Sequence, residues 1–259
     1  MPGRWCAFGE SKHLDRADDA GLVVESAHLS ILEAFHLAYD GEPVRLPMSA
    51  QRVLVFLALH PRPLQRSYVA GSLWLDLPEE RAHASLRSAL WRLHRRGHSF
   101  VDVSAHQLAL GREVEVDLRS SETLARRVLD DASLDPLDVD PFLLCRDLLP
   151  DWYEDWLLVE RESHRQLRLH ALEMLCERLA RDGHLHRALE VGLAAVAGEP
   201  LRESAHRAVV SVHLQEGNLS EAIRQYGLYR QLLRTQLGLE PSERMQVLVR
   251  YLDEAQAVG

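Results

Sequence analysis

The sequence predicts an α+β fold for the N-terminal half of the chain and an all-α fold for the C-terminal half. Apolar and polar residues alternate near Leu29 and again near Val101, which is the period of half-buried strands. Helical spacing of apolar residues occupies the segments between these regions and nearly all of the chain after Leu118. The 259 residues are 46% hydrophobic and 27% charged, as in ordinary globular domains. Length and composition therefore predict two packed domains.

Residues 1–27 show no periodicity and are predicted to be a disordered leader. They lack the uninterrupted apolar core of a secretory signal, and no apolar run reaches the ~18 residues that a membrane-spanning helix needs. Three cysteines disfavour a disulfide framework and favour a reducing compartment. We therefore expect a cytoplasmic protein without a membrane partner.

The N-terminal domain, predicted to span residues 28–118, begins with strands. Residues 29–37 alternate imperfectly, Asp40-Gly41 is a turn signal, and residues 44–46 are predicted to form the returning strand. Ser49 is the expected cap of the first helix. Helices are predicted at residues 49–60, 67–75 and 79–96, the last ending before Gly97.

After Gly97 the period returns to two. Residues 100–103 and 108–110 are predicted to form a β-hairpin around the turn 104–106. Strands, three helices and a closing hairpin are the element order of a winged helix. In that fold the third helix is the recognition helix and the hairpin is the wing.

The C-terminal domain, residues 119–259, is predicted to contain a helical repeat. GHLHRAL (183–189) resembles GNLSEAI (217–223) at an offset of 34 residues, the period of tetratricopeptide (TPR) repeats. In such repeats glycine lies at the turn between two antiparallel helices, and alanine lies where helices cross closely. Pro200 marks the expected end of the first copy, and Arg234 replaces it in the second. We therefore predict a TPR-like all-α domain.

One face of the third predicted helix is a candidate DNA interface. Leu86, Leu90 and Leu93 share a narrow side and are predicted to pack on the first two helices. From Arg81 to Gly97 there are five arginines and no acidic residue, although the chain carries a net charge of −9. A solvated face usually mixes signs, so we favour DNA contact by arginine over mere solvation. The predicted contacts are Arg81, Arg87, Ser88, Trp91, Arg92 and Arg95, with His106 on the wing and Arg112 beyond it. For Trp91, packing against the strands or a dimer mate remains the alternative.

Catalytic and metal sites are not predicted. Lys12 is the only lysine, which excludes a GxxxxGK phosphate loop, and the sequence contains no GxGxxG, GxSxG or HExxH motif. His184 and His186 have the spacing of a metal pair but no obvious third ligand. We expect no enzyme activity and no cofactor. Trp152 and Trp156 are predicted to pack a helix start onto the neighbouring core.

Several stretches resemble the bacterial antibiotic-regulatory activators called SARPs, which join an OmpR-like winged helix to a bacterial transcriptional activation domain of TPR-like helices. The most specific is LWLDLPEERAHASLRSALWRLHRR (73–96), which covers the second helix, the loop and the recognition helix. Further stretches are SAQRVLVFLALHP (49–61), VEVDLRSSETLARRVL (114–129), LLPDWYEDWLLVERESHRQLRLHALEMLCERLARDG (148–183) and LGLEPSERMQVLVRYL (237–252). The resemblance covers residues 28 to about 254.

The resemblance implies a sequence-specific activator that binds direct repeats in double-stranded promoter DNA and controls secondary-metabolite genes. It also implies a homodimer on those repeats, a nucleoid location, and recruitment of RNA polymerase holoenzyme through its sigma and alpha subunits. Asp76, Glu79 and Glu80 fall where winged helices of this type touch polymerase, with helix capping as the structural alternative. His83 and His94 depart from the family pattern, in which arginine is expected. A function of another class, a TPR-type adaptor whose winged helix binds protein, is the alternative.

Overall fold

The computed structural model describes residues 27–95 and 98–256. The leader predicted for residues 1–27 lies outside the described residues except for Ala27, which begins the first strand. The chain forms two compact units. Among the described residues, the first unit contains 27–120 and 147–164, and the second contains 121–146 and 165–256. The predicted boundary left residues 147–164 in the C-terminal domain, whereas Leu148, Leu149 and Leu157 of this segment belong to the core of the first unit.

The first unit contains all strands of the described residues. In chain order they are β1 Ala27–Ser30, β2 His36–Tyr39, β3 Glu42–Pro43, β4 Leu64–Gln65, β5 His94–Arg95, β6 His98–Ser99, β7 Val101–Val103, β8 Gln107–Leu110 and β9 Val114–Val116. One sheet has the order β3-β2-β1-β9, with β1 antiparallel to β2 and parallel to β9. The sequence did not predict β9.

The turn predicted between β2 and β3 is confirmed. Asp40 and Gly41 have φ angles of 48° and 80°, the left-handed region that asparagine, aspartate and glycine tolerate best. The prediction of the returning strand at residues 44–46 is wrong, because pairing starts directly after the two-residue turn. Tyr39 pairs with Glu42, and the strand is Glu42–Pro43.

Three helices complete the first unit's core: α1 Met48–Ala58, α2 Arg66–Leu73 and α3 Glu79–Leu93. Helix α1 begins one residue earlier than predicted, and Ser49 is not its cap. The residue before the helix is Pro47, whose carbonyl accepts hydrogen bonds from the N–H groups of Ala50 (2.9 Å) and Gln51 (3.1 Å). The buried faces of the three helices and of β1 belong to one hydrophobic core.

The predicted wing is confirmed. Strands β7 and β8 pair antiparallel, with Val101 opposite Leu110 and Val103 opposite Leu108. The structure adds β4, which pairs with β8 and makes the wing a three-stranded sheet of order β4-β8-β7.

The segment 147–164 closes the first unit's core, and its tryptophans pack as predicted. The ring of Trp152 stacks on Phe35 with centroids 6.2 Å apart, and Trp156 meets Phe56 edge to face at 5.2 Å. The leucines of this segment that are at most 1% exposed are Leu148, Leu149 and Leu157.

The remaining helices are α4 Asp117–Asp130, α5 Asp155–Arg181, α6 Leu185–Gly198, α7 Glu203–Gln215, α8 Leu219–Leu237 and α9 Glu243–Gln256. The predicted repeat is confirmed in their spacing, since α7 ends 34 residues after α5 and α8 begins 34 residues after α6. Both turns have the same hydrogen bonds. Gly183, with φ 84°, donates to the Ala180 carbonyl at 3.1 Å, and Gly217, with φ 73°, donates to that of Leu214 at 3.1 Å. Positive φ explains why glycine recurs at these helix ends.

Candidate nucleic-acid interface

Helix α3 is held by an apolar face that packs on α1 and α2. The residues of this face that are at most 2% exposed are Ala82, Leu86, Ala89 and Leu93, while Leu90 is partly buried against the same core. Their 3–4-residue spacing fixes which side of the helix faces solvent. The predicted packing of the leucines is therefore confirmed.

The opposite face of α3 is exposed and basic. Its exposed residues are Arg81, Arg87, Ser88, Trp91 and Arg92. Trp91 is 76% exposed, so it does not pack against the strands of its own unit. None of the arginines of this face has an ion pair among the described residues, and no acidic side chain lies on the helix after Glu80. The arrangement offers three guanidinium groups and one indole to a partner of negative charge.

Helix α3 is shorter than predicted. It ends at Leu93, and His94 and Arg95 enter β5, which pairs antiparallel with β6. Arg95 is therefore not on the helical face where the sequence placed it, because strand pairing replaces the last helical turn. The side chain of Arg95 lies outside the described residues, and its contact with DNA stays a prediction.

The wing lies beside the start of α2. The Arg66 N–H donates to the His106 carbonyl at 2.9 Å, and the imidazole of His106 is exposed at the tip of the hairpin. The Ser104 hydroxyl accepts from the Gln107 N–H at 2.9 Å and is occupied in shaping the turn. Arg66 was missed by sequence reasoning, since only the pairing of β4 with β8 brings it to the wing. Arg112 is exposed in the turn that leads to β9.

The acidic loop, residues 76–80, comprises the end of the connection before α3 and the first two residues of that helix, and it is exposed. Asp76, Glu79 and Glu80 all face solvent, and Glu79 Oε1 lies 3.7 Å from His83 Nε2 across one helical turn. The residue that precedes the helix is Pro78, and no side chain caps the helix there. A capping hydrogen bond to the start of α3 therefore does not explain the presence of an acidic side chain at Asp76. Leu75, 74% exposed, adds an apolar side chain to this loop.

Within residues 27–95 and 98–256, no group of three histidine, cysteine or acidic residues is placed to hold a metal ion. His186 Nε2 instead lies 3.4 Å from Glu190 Oε1, one helical turn further along α6. No helix of this same part of the chain combines the length and apolar content needed to cross a bilayer.

Comparison with known proteins agrees with this architecture. The family model of the bacterial transcriptional activator domain matches residues 144–252. The structure is similar to that of Mycobacterium tuberculosis EmbR in complex with a low-affinity phosphopeptide, with a TM-score of 0.73 and 17% sequence identity. The similarity covers 89% of this chain and 66% of the EmbR chain, so about a third of that chain has no counterpart here. No curated protein sequence matches. The predicted fold class, a winged helix followed by TPR-like helices, is confirmed.

Proposed function

We propose that this chain activates transcription by binding promoter DNA through α3 and the wing. The premise is its architecture, in which a winged helix is joined to a bacterial transcriptional activator domain, as in a SARP-type transcriptional activator. In this proposal α3 lies in the major groove. Arg87, Arg92 and Ser88 reach base edges, and Trp91 makes apolar contact with bases. His106, Arg66 and Arg112 contact phosphates on either side.

The observation that carries the proposal is the charge segregation on α3. A buried apolar side fixes the helix on its core, and the exposed side after Glu80 carries arginines without acidic partners among the described residues. Exposed helices that serve only solubility gain from mixed i,i+4 pairs, which this face lacks. The bidentate fork of arginine matches guanine O6 and N7.

Promoter binding by α3 is tested with the double variant Arg87→Ala/Arg92→Ala in the full chain. Genome-wide footprinting first identifies a bound site, and gel-shift titration on that site then compares variants. Each lost base contact is expected to cost about 1–3 kcal/mol, which is about 5- to 150-fold in affinity. Arg45→Ala is the matched control, because Arg45 is exposed in the same unit but lies outside α3 and the wing. Unchanged affinity of the double variant refutes DNA contact by α3.

The adaptor alternative predicts a different response to salt. Phosphate contacts release counterions, so the affinity for DNA falls steeply as salt rises, with a slope that follows the number of contacts. Arg112→Ala is expected to weaken all DNA sequences about equally and to make the slope shallower. A slope near zero, with Arg112→Ala indistinguishable from the parent chain, favours the adaptor.

We further propose that the acidic loop contacts RNA polymerase bound beside the protein. Carboxylates repel phosphate, so Asp76, Glu79 and Glu80 face away from DNA in this arrangement. Asp76→Ala/Glu79→Ala is expected to preserve promoter affinity and lower transcript yield in a purified system, with Glu42→Ala as an exposed acidic control. Equal losses of affinity and transcript would assign these residues to the stability of α3 alone.

Binding to direct repeats as a homodimer, with control of secondary-metabolite genes, completes the proposal. Footprints are expected as two sites in the same orientation on one face of the duplex, since one winged helix reads each site. Mass measurement of the complex on a two-site duplex checks for two copies. A single footprint with one bound copy contradicts this part of the proposal and leaves α3 binding intact.

A further inference from the structure

A groove in the second unit lies between α5 and α7 and has a cavity volume of about 340 Å³. We call it the α5–α7 groove. Its apolar side is formed by Cys176, Ala180, Ala208 and Val212. Burial raises the pKa of the Cys176 thiol to about 12, so the sulfur stays protonated and uncharged at neutral pH. The floor is therefore apolar throughout the physiological range.

Two arginines border this floor without partners. Arg181 on α5 and Arg207 on α7 line the groove, and neither has an ion pair or hydrogen bond from its side chain among the described residues. Several other arginines of this unit are paired, such as Arg202 with Glu173 at 2.6 Å and Arg224 with Glu221 at 2.6 Å. Residues 119–259 carry 17 basic and 24 acidic side chains, a net −7, so two neighbouring arginines without an ion-pair partner among the described residues are notable in this acidic part of the chain.

The shape of the groove indicates an extended ligand. The part of α7 that lines it, from Arg207 to Gln215, spans about 12 Å at 1.5 Å per residue. That length accommodates about four residues of extended chain. Arg181 and Gln215 are exposed, so the groove opens to solvent along its edge. Sites for small molecules usually enclose the ligand almost completely, so an open groove favours a peptide.

We propose that the α5–α7 groove binds an extended acidic peptide segment of a partner protein, with an apolar side chain on the floor and carboxylates on Arg181 and Arg207. Arginine pairs carboxylates bidentately, which gives such a site its selectivity for acidic sequences. The one carboxylate that lines the groove, Glu177, lies one helical turn before Arg181, so the lining carries two guanidinium groups against a single carboxylate. This site is separate in function from the DNA contacts of α3.

The test selects peptides on the full chain from a phage library of random dodecapeptides. Enriched peptides are expected to combine acidic and apolar residues, and their affinity is measured by fluorescence anisotropy. The double variant Arg181→Glu/Arg207→Glu is expected to lose at least about tenfold in affinity. Arg244→Glu is the control, because Arg244 is exposed on α9 outside the groove. Promoter binding of every variant is measured in parallel and is expected to stay unchanged.

A second variant, Ser211→Phe, fills the groove without changing charge and is expected to weaken the same peptides. Circular dichroism of each variant checks that the helical unit is folded. The proposal is overturned if no peptide is enriched, if the enriched peptides are not acidic, or if Ser211→Phe and the charge reversal leave their affinity unchanged. Stabilisation by a small dicarboxylate alone, or a dimer that Ser211→Phe dissociates, also overturns it and assigns the groove to that occupant.

Discussion

At the scale of single residues, one carboxylate stabilises the edge of the first unit's core. The Asp117 side chain accepts hydrogen bonds from the N–H groups of Ile31 (2.9 Å) and Leu32 (3.2 Å), whose side chains are fully buried. Asp117→Ala removes both of these hydrogen bonds and is expected to lower the free energy of unfolding by about 1.5–3 kcal/mol. Urea denaturation followed by tryptophan fluorescence measures the change. Asp117→Asn restores one acceptor and is expected to recover part of the loss, so an Ala variant as stable as the parent contradicts this role.

A buried histidine, His206, is expected to make the stability of the second unit depend on pH. His206 Nε2 lies 2.9 Å from the Pro200 carbonyl and Nδ1 lies 2.9 Å from the Gln225 amide, which fits a neutral ring that donates at Nε2 and accepts at Nδ1. Burial holds the pKa of His206 below its ordinary value of 6.5. Folding therefore favours the neutral imidazole of His206 over the protonated one.

The sign of the pH effect follows from proton binding. Below pH 6.5 the unfolded state takes up the proton first, so the stabilisation is present above that pH and is lost as pH falls through the lowered folded-state pKa. Helical-unit stability, measured by circular dichroism in urea, is expected to drop in that acid range. His206→Gln is expected to remove this part of the pH dependence, whereas His186→Gln at an exposed position keeps it. Identical pH profiles for parent and His206→Gln would contradict the assignment.

At the scale of elements, the repeat depends on small residues where helices meet. Ala222 is fully buried on α8, one turn after the Gly217 turn. Ala222→Leu overpacks this contact and is expected to cost about 1–3 kcal/mol in the second unit. Gln231→Leu places the same side chain at an exposed position of α8 and serves as the control. Equal urea midpoints for the two variants would show that α8 does not pack closely at Ala222.

Elements with strong local signals could be predicted from the sequence, and elements made by distant partners could not. The apolar side of α3, the wing and the glycine turns at Gly183 and Gly217 follow from periodicity and turn chemistry. Strand β9 has three residues and exists because Val116 pairs with Leu29, far away in the sequence. The same reason explains Arg95 in the candidate site, since its pairing in β5 overrides a helical pattern that no local break interrupts before Gly97.

At the scale of the whole molecule, the compact units are not continuous stretches of sequence, because residues 147–164 belong to the first unit. A fragment of residues 27–120 lacks Leu148, Leu149 and Leu157, and each leucine buried in a core contributes about 1.5–3 kcal/mol. We expect this fragment to be far less stable than a fragment of residues 27–164, which retains the segment that closes the core. Urea denaturation of the two fragments measures the difference. Equal midpoints would show that residues 28–118 fold as an independent domain, as the sequence alone suggested.

The exposure of Trp91 provides an optical probe of the proposed DNA interface. Among the tryptophans of the described residues, Trp74, Trp152 and Trp156 are half-buried, while the indole of Trp91 stands 76% in solvent. In a Trp5→Phe background, iodide is expected to quench chiefly the Trp91 emission of the free protein. Cognate duplex that covers α3 is expected to shift this emission to the blue and to shield it from iodide, while Trp91→Phe abolishes both changes. The exposed indole of Trp91 thus provides a built-in fluorescent reporter of DNA bound at α3. If saturating duplex leaves the Trp91 emission unchanged, the DNA binds elsewhere on the protein.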